Sequence, residues 1–268
     1  MIALLCTALV SPPLYLGIDL STQSVTGVLV DKSLKIVEKP LSINFDASFP
    51  EYGTSAGMVV KDNGVVTTPV RLWLRALDQL FDQLQSTGCL PSVAAISCSG
   101  QQHGSVYWSE RGIEALMAGD ATAGGFSDAF PDDAFAVLDS PIWADSSTSA
   151  ECRAIEAAVA NGAAGVATLT GSRAYERFTG AQILAVSSRS PSAWAATAKV
   201  SLVSHFHTCR ARAFHTCALL VDADHARALR MTLACVHARV RTCARAYVHA
   251  DAIHPSSSSC CMHSCEIR

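Results

Sequence analysis

Between residues 68 and 85 the apolar side chains change period, and this change constrains the fold more than any other feature of the chain. Leu72, Trp73, Ala76, Leu77, Leu80, Phe81 and Leu84 recur at helical spacing. The spacing predicts an amphipathic helix from about Thr68 to Gln85, ended by Gly88. The flanking segments have a different character. Leu14–Asp19 and Val25–Asp31 are rich in Val, Leu and Ile and are joined by the polar turn Leu20–Ser24, which predicts a hairpin-like pair of strands. A third strand is expected around Lys35–Ile43, and Pro91 precedes a further apolar run, Val93–Cys98. Strands alternating with helices place the chain in the α/β class.

The remaining segments are read more coarsely. Asn44–Gly64 carries Pro50, Gly53, Gly57 and Asn63-Gly64, and is expected to form loops around short strands. Ser109–Asp139 is rich in Gly, Ala and Asp and predicts one short helix with loops. Pro141–Asp145 has the character of a strand end. Ser146, Ser147 and Thr148 offer N-cap hydroxyls for a helix running to about Ala160, and a second short helix leads into Thr170–Phe178.

Composition divides the chain. Of 268 residues, 50% are hydrophobic and 16% charged, enough to bury a sizeable core and to exclude wholesale disorder. The net charge of −3 gives no electrostatic case for a nucleic acid or an acidic membrane surface. That average hides a balance of −7 up to Ser204 and of +4 from His205 onward, where eight Arg stand against four acids. Seven of the 11 Cys and eight of the 9 His also lie after Ser204. The sparse Cys6, Cys89, Cys98 and Cys152 before it fit a reduced, cytoplasmic protein. Met1–Val10 is apolar but short, lacks a preceding basic residue and is followed by Pro12-Pro13, so it does not read as a secretory signal. No run reaches the roughly 20 apolar residues of a membrane span. Three segments result: 1–13 of unclear role, a folded 14–204, and a tail, 205–268, expected to be irregular or disordered.

From Ala234 to Ala250 the tail alternates without exception between Ala, Val or Thr and Cys, His, Arg or Tyr. A strand of that length with such faces is implausible. Translation of an alternating purine–pyrimidine repeat accounts for the pattern, which points to read-through, a frameshift or a mis-joined exon. Cys209/Cys217 and Cys235/Cys243 stand too far apart for the usual zinc pairs, as does the crowded Cys260, Cys261, His263 and Cys265 for their pattern.

The candidate site lies at strand ends, where open α/β sheets bind ligands. Asp19 ends a strand, and Ser21, Thr22 and Gln23 follow in a turn able to present hydroxyls and N–H groups to a phosphate while the carboxylate holds Mg²⁺ or its water. Gln101, Gln102 and His103 follow the Val93–Cys98 run, and His103 is able to bond sugar hydroxyls as donor or acceptor. A buried His satisfied by backbone is the alternative. Arg177 offers a guanidinium fork to ligand oxygens, or pairs with a surface acid. Trp143 is either a stacking face or core, and Asp145 is read as an acid at a helix N-terminus.

Four blocks occur in order: Leu16–Ser24, Ser99–Trp108, Trp143–Thr148 and Leu169–Gly180. Together they resemble the N-terminal domain of the FGGY carbohydrate kinases, nearest in kind to the xylulose kinases of animals, over Leu14–Ser204. The resemblance implies a ribonuclease H-like (actin-like) lobe with a sugar at the cleft and ATP held largely by a second lobe. It implies that His103, Arg177 and Gln102 meet the ketose, and that Asp19, Ser21 and Thr22 face phosphate and Mg²⁺. The implied reaction moves the γ-phosphoryl of ATP to the 5-hydroxyl of D-xylulose or a related pentulose. Two departures stand out. Family members carry a basic residue where this chain has Thr26, and the family's catalytic aspartate, in an Asp-x-Ser-Gly-like segment, has no counterpart here. No metal-binding residues and no general base are therefore assigned to the chain, which is expected to be a truncated, inactive kinase or a non-catalytic sugar-binding fragment.

Overall fold

The computed structural model describes residues 12–118 and 124–206, together with the backbone of the short strand at 221–222. The chain opens with β1 (Leu14–Leu20), β2 (Ser24–Val30), β3 (Leu41–Asn44), a single turn α1 (Phe45–Ser48), β4 (Val59–Val60), β5 (Val66–Pro69) and the long helix α2 (Val70–Ser86). It continues through β6 (Val93–Gly100), β7 (Ser105–Trp108), α3 (Glu110–Ala118), α4 (Phe126–Ala129), β8 (Asp139–Pro141), α5 (Ser149–Ala157), α6 (Gly162–Thr170), α7 (Thr179–Arg189) and α8 (Pro191–Ala196). Then come β9 (Lys199–Leu202), α9 (Val203–Phe206) and β10 (Val221–Asp222).

The main sheet runs β3-β2-β1-β6. β1 pairs antiparallel with β2 and parallel with β6, so the expected hairpin forms and the 93–98 run lies beside it. Two smaller sheets, β10-β9-β7 and β4-β5-β8, are antiparallel. Alternation in β1 sends Leu16, Ile18 and Leu20 into the core, joined by Val25 and Leu29 of β2. Against them lies the apolar stripe of α2: Leu72, Trp73, Ala76, Leu77, Leu80 and Leu84 are each 1% exposed or less. Gly27 marks the tightest point of this packing, since a Cβ there would stand 3.1 Å from a Leu80 methyl.

Several expectations require correction. The third strand begins at Leu41, not near Lys35. Asp31 explains the delay: its Oδ1 accepts the N–H groups of Ser33 and Lys35, folding the chain into a turn with Leu34 at φ 61°. Ile36 consequently makes only an isolated bridge to Val30 before Pro40 leads into β3. Helix α5 ends at Ala157 and its N-cap residue, Thr148, does not cap it. The Thr148 hydroxyl instead donates to the Glu176 carbonyl, 2.6 Å away. Within the stretch expected to be irregular, Val221–Asp222 adds a strand antiparallel to β9. The 1–11 segment, the alternating 234–250 repeat and the tail cysteines lie outside the described residues.

The sheet–helix seam generates a stability prediction. Leu80→Ala should lower the unfolding free energy by about 2–5 kcal/mol, because Leu80 is fully buried under Gly27. Urea unfolding of the 268-residue chain measures it; a loss within experimental error would contradict this packing.

Candidate functional site

Parallel pairing brings the two turns of interest together. Leu20 stands opposite Gly100 in the β1–β6 register, and the Gln101 N–H extends the ladder to the Leu20 carbonyl at 2.9 Å. The 21–23 turn and the 101–103 turn therefore leave neighbouring strands at the same, carboxyl edge of the sheet.

Before the 21–23 turn, Asp19 is exposed and its Oδ1 accepts the Ser99 hydroxyl at 2.6 Å. The Ser21 hydroxyl and N–H both turn inward to the Ser24 carbonyl, at 3.2 and 2.9 Å, so Ser21 stabilises the turn and does not present its proton outward. Thr22 differs. Its Oγ1 accepts the Trp143 indole N–H at 2.9 Å, which leaves its own O–H to donate to a ligand oxygen. Trp143 is 43% exposed, so the core reading of this residue is wrong and the ring stands at the site. The loop before β4 supports the turn from another side. A Cβ on Gly57, at φ 75°, would collide with the Thr22 carbonyl, so this close approach requires glycine. Asp46 organises the same loop by accepting the Thr54 hydroxyl and the Ala56 and Gly57 N–H groups. Burial raises its pKa, but those three hydrogen bonds outweigh it and hold the carboxyl below its ordinary range.

In the 101–103 turn, His103 sits at φ 64°, a left-handed backbone that only a few per cent of non-glycine residues adopt. It is half-buried, and its ring lies 5.0 Å from that of Phe178. Tyr175 packs edge-on against Phe178 at 5.4 Å, and the Arg177 guanidinium lies over the Tyr175 ring at 5.6 Å. Burial, followed by the nearby Arg177 charge, pushes the His103 pKa below its ordinary value and favours the neutral ring. A neutral imidazole retains both a donor and an acceptor, as recognition of hydroxyls requires. Gln102 is exposed beside it. Gln101 is 7% exposed, and neither side-chain amide atom has a hydrogen-bond partner among the described residues.

Asp145 lies beneath the surface on the Arg177 side. It is not an acid at a helix terminus as expected: it is 3% exposed and ties β5, the 146–148 turn and α7 together. No local pattern signals this role, nor those of Gly57 and Gln182, because each depends on contacts far apart in the chain. Phe178 was within reach of the sequence, since it follows Arg177 in the same block. Among the described residues there is no cluster of three potential metal ligands, and no helix long and apolar enough to cross a membrane.

No protein-family profile matches the chain. Mouse xylulose kinase is 44% identical over 198 residues, covering 71% of this chain and 34% of the mouse protein. Xylulose kinase 2 of Arabidopsis thaliana is 41% identical over 201 residues, 73% of this chain and 35% of its own length. The chain thus spans about a third of the curated relatives it matches. In fold it is similar to a xyloylose kinase from Brucella ovis, with a TM-score of 0.55 at 18% identity over 73% of this chain and 33% of that one. A xylulose kinase from Bifidobacterium adolescentis gives 0.53 at 20%, over 79% and 36%. The fold is that of the ribonuclease H-like N-terminal lobe of sugar kinases. Over these residues the chain is a homologue of the xylulose kinases and resembles the N-terminal portion of the FGGY carbohydrate kinases.

The depressed His103 pKa has a definite sign. A group whose pKa is lower folded than unfolded contributes stability above its unfolded pKa, and that stability is lost as pH falls through the folded value. Stability should therefore decline as pH drops below about 6.5, with His205, also depressed by burial, contributing in the same direction. His103→Gln should flatten part of this decline. Urea midpoints at pH 7 and at lower pH check it; parallel profiles for the two proteins would refute the assignment.

Proposed function

We propose that this lobe binds D-xylulose or a related pentulose at the edge formed by His103, Gln102 and Arg177, as the sugar-binding part of a cytoplasmic ATP-dependent kinase. The observation that carries the proposal is the cluster of His103, Phe178, Tyr175 and Arg177, beside the Asp19–Thr22 turn on one sheet edge. A neutral imidazole and a guanidinium suit the hydroxyl and carbonyl oxygens of a small sugar. The Trp143 ring, exposed at the same edge, offers an apolar face to the C–H surface of such a ligand.

The turn fits a nucleotide phosphate bound with Mg²⁺. Asp19 contributes an exposed carboxylate of the hard oxygen type that Mg²⁺ prefers, and Thr22 a hydroxyl proton already directed away from Trp143. ATP with Mg²⁺ supplies the phosphoryl group when bound. The residues of this chain orient the acceptor and hold the turn. No general base is assigned among the described residues, since the Asp19 carboxylate is read here as the Mg²⁺ ligand, and a missing base typically costs about 10²–10⁴ in rate. Nor do the 268 residues contain an Asp-x-Ser-Gly segment. We therefore read these residues alone as sugar-binding without phosphoryl transfer.

Calorimetric titration with D-xylulose should show binding to the 268-residue chain. His103→Ala and Arg177→Ala should each weaken it about tenfold or more, equivalent to about 1.4 kcal/mol. ADP release in the presence of ATP, Mg²⁺ and D-xylulose should stay at background. Unchanged affinity in both variants would remove the site assignment, and measurable turnover would remove the non-catalytic reading.

A further inference from the structure

We propose that Asp145 and Gln182 are positioning residues: a buried clamp that fixes the Glu176–Phe178 segment so that Arg177 and Phe178 meet His103. The inference deepens the proposed function, since it rests on the reading that this edge meets the ligand.

The clamp is built in three linked steps. Asp145 accepts four hydrogen bonds: the Val66 N–H at 2.9 Å, the Ser147 N–H at 3.0 Å, the Ser147 hydroxyl at 2.8 Å and the Gln182 amide at 2.8 Å. Both Asp145 and Gln182 are 3% exposed. The Gln182 amide nitrogen carries two protons, and it also donates to the Glu176 carbonyl at 3.0 Å. That carbonyl receives the Thr148 hydroxyl as well. The Glu176 carboxylate is held separately: it accepts the Ser149 hydroxyl at 2.9 Å. The residue immediately before Arg177 is thus fixed at both its backbone and its side chain, by groups from α5, α7 and the turn before α5.

Two properties distinguish this arrangement from ordinary core satisfaction. A carboxylate stripped of water needs all its acceptor sites filled, and Asp145 reaches that state only by connecting elements far apart in sequence. Removing any one donor leaves a buried charge short of a partner, so the clamp has one arrangement. The fixed segment also has little else to hold its outer side chains. Arg177 and Tyr175 are exposed and touch each other through a cation–π contact, which is weak at exposed sites. Pre-organisation of Arg177 must therefore come from the backbone beneath it. The charged groups around this segment are Arg153, Glu156, Arg173, Glu176 and Arg177, with Asp19 on the neighbouring strand end.

Gln182→Leu keeps the approximate volume and removes both donated hydrogen bonds. Thr148→Val removes a single bond to the same carbonyl and serves where the first variant fails to fold. In each, the titration of His103 followed by NMR in the unliganded 268-residue chain, assigned with His103→Gln, reads both the burial of its ring against Phe178 and the nearness of the Arg177 charge. The expected result is a His103 pKa displaced toward its ordinary value of about 6.5, together with D-xylulose affinity about tenfold weaker. An unchanged titration and unchanged affinity, with only stability reduced, would reduce Asp145 and Gln182 to structural residues and overturn the proposal. A displaced titration in a chain whose wild type shows no affinity for D-xylulose would uphold the clamp while removing the sugar-binding reading.

Discussion

Parallel strands cannot be joined by a tight turn; they need a crossover, and the crossover here decides what the lobe exposes. β1 and β6 are separated by about seventy residues that include α2, whose apolar stripe covers one face of the sheet. Because β1 and β6 run the same way, their ends arrive together, with Leu20 opposite Gly100. An antiparallel pairing would have sent the 21–23 and 101–103 turns to opposite edges. Asp19 and Thr22 share an edge with Gln102 and His103 for this reason, and everything above that edge depends on the register.

A shared edge does not by itself aim side chains. The turns are short, polar and largely exposed, and turns of that kind are mobile unless something beneath them is rigid. Here the rigidity comes from the close approach of Gly57 to Thr22, from the indole of Trp143 on the Thr22 hydroxyl, and from the Asp145–Gln182 network under Arg177. These three supports arise from different parts of the chain. Trp143 and Asp145 lie two residues apart, so the short stretch after β8 reaches toward both halves of the site at once.

The elements legible in the sequence were those defined by one strong local pattern. The stripe of α2 and the alternation of β1 and β2 needed no tertiary information, and their bounds differ from expectation by a residue or two. His103 and Arg177 were legible through ordered blocks, not through spacing. What escaped notice depended on contacts across long separations. Asp31 cut the third strand short because its side chain competed successfully for backbone N–H groups. Thr148 looked like a cap because caps are local, yet a carbonyl 28 residues away captured its hydroxyl. Trp143 reads in sequence as either a stacking face or core, and its indole N–H finds its partner at the surface. The β9–β10 pairing was invisible for a similar reason: two residues carry no period.

The exposure of the site residues bears on how such a lobe can work. Arg177, Gln102 and Asp19 are all exposed, and charges in water interact weakly, about 1 kcal/mol at 4 Å. Hydrogen bonds to a sugar hydroxyl exchange for bonds to water with similarly modest gain. An edge of this kind therefore recognises shape and orientation better than it stabilises charge. Phosphoryl transfer asks for the opposite: groups aimed at developing charge in a site from which water is excluded. The supports under Thr22 and Arg177 supply the aim, since they fix donors before a ligand arrives. Exclusion of water must come from whatever closes over the edge, and only then would the electrostatics of Asp19 and Arg177 acquire the strength that their placement prepares.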